Sequence, residues 1–212
     1  MKKIILVFGV LLFVWESSKA QQQRVVAECT VTYNINVEDG SADKETVESF
    51  KASSKIVYLK GNQSRVDLIS PSFTQSVFFD KSTGNATILR EIGNNKFMSK
   101  LDNAKWKAEN KKFDGATVTK VEESKTILGY ECKKAILKLV DGNTFTLYYA
   151  NNITPSVKEF EYQFKDIPGF VLEYESQEQN GKKVKYTAIK INLSPVQASR
   201  FEIPTSGYRI LN

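Results

Sequence analysis

The chain contains no histidine among its 212 residues. That absence removes the commonest general base and the commonest metal ligand together. A Ser-His-Asp triad, a Cys-His pair and any histidine-bearing zinc site are therefore excluded. Cysteine is scarce too, with two residues, so a disulfide-dense scaffold is ruled out. Five prolines and eleven glycines exclude collagen and low-complexity linkers. No glycine-rich phosphate loop, Walker motif or nucleophile elbow occurs. Long hydrophobic runs are missing after the first fifteen residues, and no tandem repeat is present.

What the chain does have is a leader. Lys2 and Lys3 precede an apolar run of twelve residues, Ile4 to Trp15, which is too short to cross a bilayer as a helix. Ser18 and Ala20 put small residues at the −3 and −1 positions of a cut before Gln21. Residues 1–20 read as a cleaved signal peptide and 21–212 as a single β-rich domain, exported to the periplasm, the outer membrane or beyond in a Gram-negative bacterium, with no transmembrane segment left after cleavage. Cleavage takes three lysines and one glutamate from a formal charge of +6, leaving +4. That is mild and scattered. The one cluster, Lys105, Lys107, Lys111 and Lys112, is interleaved with Glu109 and Asp114, which reads as a solvated face. A nucleic-acid partner is not expected.

From Gln21 onward the periodicity is that of strands. Val25, Ala27, Cys29, Val31, Tyr33, Ile35 and Val37 fall on one face, and Glu28, Thr30, Thr32, Asn34 and Asn36 on the other. A polar stretch follows, with a short helix expected at 44–51. Strands are expected at 56–59, 65–69, 73–79, 86–90 and 97–101, separated by Gly/Asn/Ser turns. After a polar segment at 102–112, longer strands follow at 116–127, 131–140, 144–150, 170–177 and 184–191. Asp141-Gly142-Asn143 and Asn180-Gly181 are hairpin signals. A helical turn at 195–200 and a C-terminal strand at 201–210 complete the pattern. The fold class is mainly β. We expect a single curved antiparallel sheet, or half-open barrel, of roughly ten strands with one or two short helices. A sheet of that width must curl to cover its apolar face.

Chemistry is thin by comparison. The paired carboxylates Glu122/Glu123, Glu159/Glu161 and Glu173/Glu175 offer no acid–base pair in one cleft, and Glu173 and Glu175 are expected to face solvent together. Asp39, Ser41, Asp43 and Glu45 present oxygens at alternate positions, but the glycine of a calcium loop is misplaced, so a polar turn is expected. No catalytic residue, metal or cofactor is expected. The apolar stripe formed by Tyr33, Ile35, Phe145, Leu147, Tyr149, Phe170, Leu172 and Tyr174 reads either as core or as the lining of a cavity for a hydrophobic ligand. Cys29 and Cys132 admit two readings: a disulfide, or two separately buried thiols.

Gly129-Tyr130-Glu131-Cys132-Lys133-Lys134-Ala135, Leu147-Tyr148-Tyr149-Ala150 and Ile167-Pro168-Gly169-Phe170-Val171-Leu172-Glu173-Tyr174 resemble, in content and order, the GLPGLI family of exported Bacteroidetes proteins. Phe201-Glu202-Ile203-Pro204 with Gly207-Tyr208 is similar to related exported domains. Asp166-Ile167-Pro168-Gly169-Phe170-Val171 stands where the family has Gly-Leu-Pro-Gly-Leu-Ile. The resemblance is close over 115–210 and looser over 24–100. It implies the fold of the periplasmic lipoprotein carriers (LolA-like), a half-open antiparallel barrel closed by short helices, and it brings no catalytic residue. Two functions remain in view: a binding module for an acyl chain or lipid, or an accessory protein that meets an outer-membrane or secretion partner.

Overall fold

A computed structural model describes residues 23–37, 43–177 and 183–211. The leader at 1–20, the Asn180-Gly181 turn and the oxygen-rich positions Asp39 and Ser41 lie outside the described residues.

The first half of the chain is a meander. β1 (Arg24–Val26) and β2 (Glu28–Val37) lead into helix α1 (Lys44–Lys51), then β3 (Ser54–Lys60), β4 (Gln63–Ile69), β5 (Phe73–Asp80), β6 (Asn85–Ile92) and β7 (Asn95–Leu101). Helix α2 (Asn103–Glu109) leads to the second half, which contains β8 (Thr117–Ile127), β9 (Tyr130–Lys138), β10 (Thr144–Ala150), β11 (Ile153–Pro155), β12 (Phe170–Gln177), β13 (Lys183–Asn192) and β14 (Arg209–Leu211). Twelve strands form one sheet in the order β14-β7-β6-β5-β4-β3-β2-β13-β12-β10-β9-β8. It is curved and not closed, as expected. The two halves join where β13 pairs antiparallel with β2, from Val184↔Val37 to Asn192↔Thr30.

Two pairings are parallel, which the antiparallel expectation did not include. β14 adds to the outer side of β7, and β1 pairs with β11 in a separate two-stranded ribbon. The ribbon breaks the long strand expected from Val25 to Val37. Val25 is 60% exposed while Val26 is 4% exposed, so the buried parity switches at Ala27 before Cys29, Val31, Tyr33 and Ile35 resume it. The C-terminal strand expected at 201–210 shrinks to Arg209–Leu211. The rest crosses the sheet's other face as a strap. There Tyr208 packs on Phe78, Leu89 and Met98, and the Arg65 guanidinium donates to the Arg200 carbonyl at 2.8 Å.

Register explains the inner face. Ile191, Val31, Val57, Val66, Val77 and Ile88 lie opposite one another across six strands, a row of β-branched side chains well suited to a pleated surface. The segment between β11 and β12 covers part of this face. Two 3₁₀ turns, Lys158–Phe160 and Tyr162–Phe164, bring Phe160 and Phe164 down, with ring centroids 5.6 Å from Phe170 and 4.9 Å from Tyr174 respectively.

Both helices are capped by aspartate. Asp43 accepts from the Thr46 amide and Asp102 from the Lys105 amide, each at 2.8 Å. α1 occupies the expected span, and Asp43 serves as its cap. α2 falls where a polar segment was expected. Its seven residues bury one side chain, Trp106, against Phe79 at 5.8 Å, so no helical period is visible. At the β8–β9 hairpin, Leu128 and Gly129 both take positive φ, the signature of a tight two-residue turn.

Gly169 has a different role. A Cβ there would collide with the Ala150 carbonyl oxygen and sit 2.7 Å from the Tyr149 ring. Gly169→Ala is expected to destabilise the protein by about 1–3 kcal/mol, the usual cost of overpacking. Urea denaturation of both proteins measures this; an unchanged midpoint would refute the close approach.

Candidate functional site

β3 alternates Lys55, Val57 and Leu59 toward the inner face, and the register puts Lys55 between Tyr33 and Leu68. A buried ammonium in such a place requires a partner. Glu161, between the two 3₁₀ turns, supplies it as an ion pair. Lys55 also donates to the Tyr174 hydroxyl at 2.5 Å, and that hydroxyl donates to Glu161 at 3.2 Å. The ammonium lies 4.8 Å from the centre of the Tyr186 ring, which stacks on Tyr174 at 4.7 Å. This cluster ties the covering segment to the sheet.

Beside it opens a cleft of about 230 Å³. Its apolar wall is Val66, Leu68, Val77, Trp106, Phe113 and Phe160; its polar groups include Gln75, Asn110, Gln163 and the Lys55–Glu161 pair. The Trp106 indole N–H is buried without a hydrogen-bond partner. A second hollow of about 120 Å³ lies beneath α1, between Ile35, Phe50, Leu68 and Tyr186.

The eight stripe residues belong to one hydrophobic core. Tyr33, Ile35, Leu147, Tyr149, Phe170, Leu172 and Tyr174 are buried, and Phe145 packs half-buried against them. The Tyr33 hydroxyl donates to the Val171 carbonyl at 2.7 Å. Ile35 alone of the eight borders the hollow under α1, and Tyr149 alone borders a polar cleft near β8. The sequence reading assigned no site role to Lys55 or Trp106 and weighed Glu161 only as half of the Glu159/Glu161 pair. Lys55 was legible, since strand alternation puts it in phase with Val57 and Leu59. Glu161 and Trp106 carried no periodic signal.

Glu123, Glu161 and Glu173 are held in ion pairs with Lys134, Lys55 and Lys125, whereas Glu159 keeps one buried carboxylate oxygen without a hydrogen-bond partner. Glu173 does not face solvent, contrary to expectation: it is 7% exposed, accepts from Lys125 at 2.5 Å and from Thr187 at 3.1 Å. Its neighbour Glu175 accepts from the Thr146 amide at 3.0 Å. Among the described residues no group of three His, Cys, Asp or Glu side chains is placed to hold a metal. Cys29 and Cys132 are free, buried thiols. Burial pushes Cys29 up to about 12 and Cys132 up to about 11, so both stay protonated at neutral pH.

A family model described as the N-terminal domain of N-glycanase matches residues 31–203. Among solved structures, PNGF-II in space group P21 is similar over 87% of this chain, with 16% identity and a TM-score of 0.51. The chain spans 31% of that protein's length. An uncharacterized conserved protein from Thermus thermophilus aligns over 88% of this chain and 90% of its own, with 8% identity and a TM-score of 0.48. MucB aligns over 84% of this chain and 58% of its own, with 10% identity and a TM-score of 0.43. No curated protein matches the sequence. None of these comparisons points to the GLPGLI family that the segments at 129–135 and 167–174 resemble. The family match covers most of the chain, which therefore belongs to the N-glycanase N-terminal-domain family.

Two tests follow. Replacing Lys55 by Met leaves Glu161 without its charge partner and is expected to cost about 3–5 kcal/mol, with part regained in Lys55→Met/Glu161→Gln. A double-mutant cycle in urea measures the coupling; additive effects would show that the pair contributes nothing. Iodoacetamide at pH 8 is expected to modify neither cysteine in the native protein and both after unfolding without reductant. Protection that persists after unfolding would reveal a disulfide.

Proposed function

We propose that this chain, as a member of the N-glycanase N-terminal-domain family, is a non-catalytic, exported accessory module that works by contacting a protein partner in the periplasm or at the outer membrane. The observation that carries this reading is the filled inner face. The stripe that would line an acyl-chain cavity is consumed by the protein's own cover, Phe160, Phe164 and Ile167 included. The cleft beside Lys55, about 230 Å³, lies below the roughly 300–1,000 Å³ of typical small-molecule pockets. It suits one or two side chains of a partner better than a lipid tail. No helix among the described residues is long and apolar enough to cross a membrane.

The hydrophobic-ligand reading keeps one supporting observation. The walls Val66, Leu68, Val77 and Phe113 are continuous with the core, and their apolar area would drive an acyl group inward if the cover lifted. The two readings part in one experiment. Protein purified from gently solubilised envelopes is extracted and analysed by mass spectrometry, while a photo-crosslinker at Gln75 reports neighbours in the cell. A discrete protein adduct and no stoichiometric lipid are expected. A stoichiometric acyl lipid that disappears in Val77→Phe would overturn the accessory reading.

A further inference from the structure

Along β5 and β6 the inner face reads apolar, polar, apolar. Val77 lies opposite Ile88, Gln75 opposite Arg90, and Phe73 opposite Ile92. Val77 and Gln75 border the cleft beside Lys55. Beyond them the cover stops: Arg90 is exposed, Phe73 is 38% exposed and Ile92 is 53% exposed. On β7, half-buried Phe97 flanks Arg90. The cleft therefore continues into an open shelf on the same face.

Charge and hydrogen bonding say what this surface lacks. The Arg90 Nε donates to the Gln75 side-chain oxygen at 2.8 Å, and among the described residues no carboxylate pairs with its guanidinium. At the opposite rim the Lys112 ammonium lies 4.9 Å from the centre of the Phe113 ring, again with no carboxylate partner among the described residues. The nearby acids are spent: Glu161 on Lys55, and Asp114 on Lys165 and Tyr162. The Trp106 indole, which borders the cleft, can only donate, and its N–H is buried without an acceptor. Buried donors normally have one. The occupant that answers these needs brings negative charge and a hydrogen-bond acceptor along with apolar groups.

We propose that this end of the inner face receives an extended segment of the partner protein with the pattern apolar–x–acidic–x–apolar. Successive pairs on β5 and β6 are two residues apart, about 7 Å, which is also the spacing of alternate side chains on an extended segment. One apolar side chain enters the cleft, the central carboxylate meets the Arg90 guanidinium, and the other apolar side chain rests on Phe73 and Ile92. A main-chain carbonyl of the segment is the acceptor for Trp106. A continuous acyl chain would instead cover Gln75 and Arg90 with hydrocarbon and leave them unpaired. The inference rests on the accessory reading and names the chemistry of its partner.

The test titrates the full chain with the capped peptide Leu-Ser-Glu-Ser-Leu, with its Gln and Lys counterparts at the centre, and with the reordered Glu-Ser-Leu-Ser-Leu. The first is expected to bind with a millimolar or tighter constant, to shift the amides of Gln75, Arg90 and Ile92 and the Trp106 indole N–H, and to bind about fivefold tighter than each of the others. Arg90→Gln, an exposed change, is expected to erase the preference for Glu over Gln, and Ile92→Ser to weaken all four peptides. Dodecanoate, a carboxylate on one unbroken chain, is expected not to displace the peptide at equal concentration. The proposal falls if the Glu peptide does not bind, if its Gln counterpart binds as tightly, if Arg90→Gln keeps the preference, or if dodecanoate displaces it. In the cell, the protein adduct formed from a photo-crosslinker at Gln75 is expected to fade in Arg90→Glu. An adduct that persists unchanged would overturn this proposal and leave the accessory reading standing; stoichiometric lipid with no adduct would overturn both.

Discussion

Covering one apolar face is the demand that shapes this molecule. A row of β-branched side chains crosses six strands, and a sheet left open at both ends has no second sheet to bury it. The chain meets the demand with its own connections. The segment between β11 and β12 supplies Phe160, Phe164 and Ile167, and α2 supplies Trp106. The clefts are what such covers leave at their margins.

Lys55 shows how polarity is used within that arrangement. A positive charge on the inner face would be costly alone, yet it meets a carboxylate carried by the cover and two stacked tyrosine rings. Apolar pairs of equal volume often match buried ion pairs in energy, but an ion pair accepts one geometry and so fixes where the cover sits, a registry role of the kind attested elsewhere for buried polar groups. The cleft beside the covering segment inherits its walls from that placement.

Much of the fold was legible because a period of two is a strong signal where one face is wet. Strands β2 to β7 alternate cleanly, and the expected spans agree with the observed ones to within a few residues. Turns rich in Gly, Asn and Ser marked several boundaries. Three things were not legible. The break at Ala27 leaves every residue apolar on the expected face, so nothing in the pattern announces the change of parity. α2 buries a single side chain, too little to set a helical period. Glu173 looks like an outward carboxylate by alternation, and only the arrival of Lys125 from an edge strand, brought close by the curl of the sheet, makes its burial tolerable. The same limit applied to the site: a cleft bounded by Lys55, Trp106 and Glu161 unites three segments that no local spacing connects.

The seam between β2 and β13 carries a consequence for how the molecule forms. The middle of the sheet is built from strands about 150 residues apart in sequence, since Val37 lies opposite Val184. Each half can assemble its hairpins early and locally, but the join between them must await loop closure across nearly the whole chain, and distant pairings of this kind slow folding. Until β13 arrives, the β2 edge stands unpaired beside hydrophobic neighbours, a state in which aggregation competes with completion. Maturation is therefore governed by the last strands to arrive, and any cellular holdase that shields β2 in the interval would act on the slowest step.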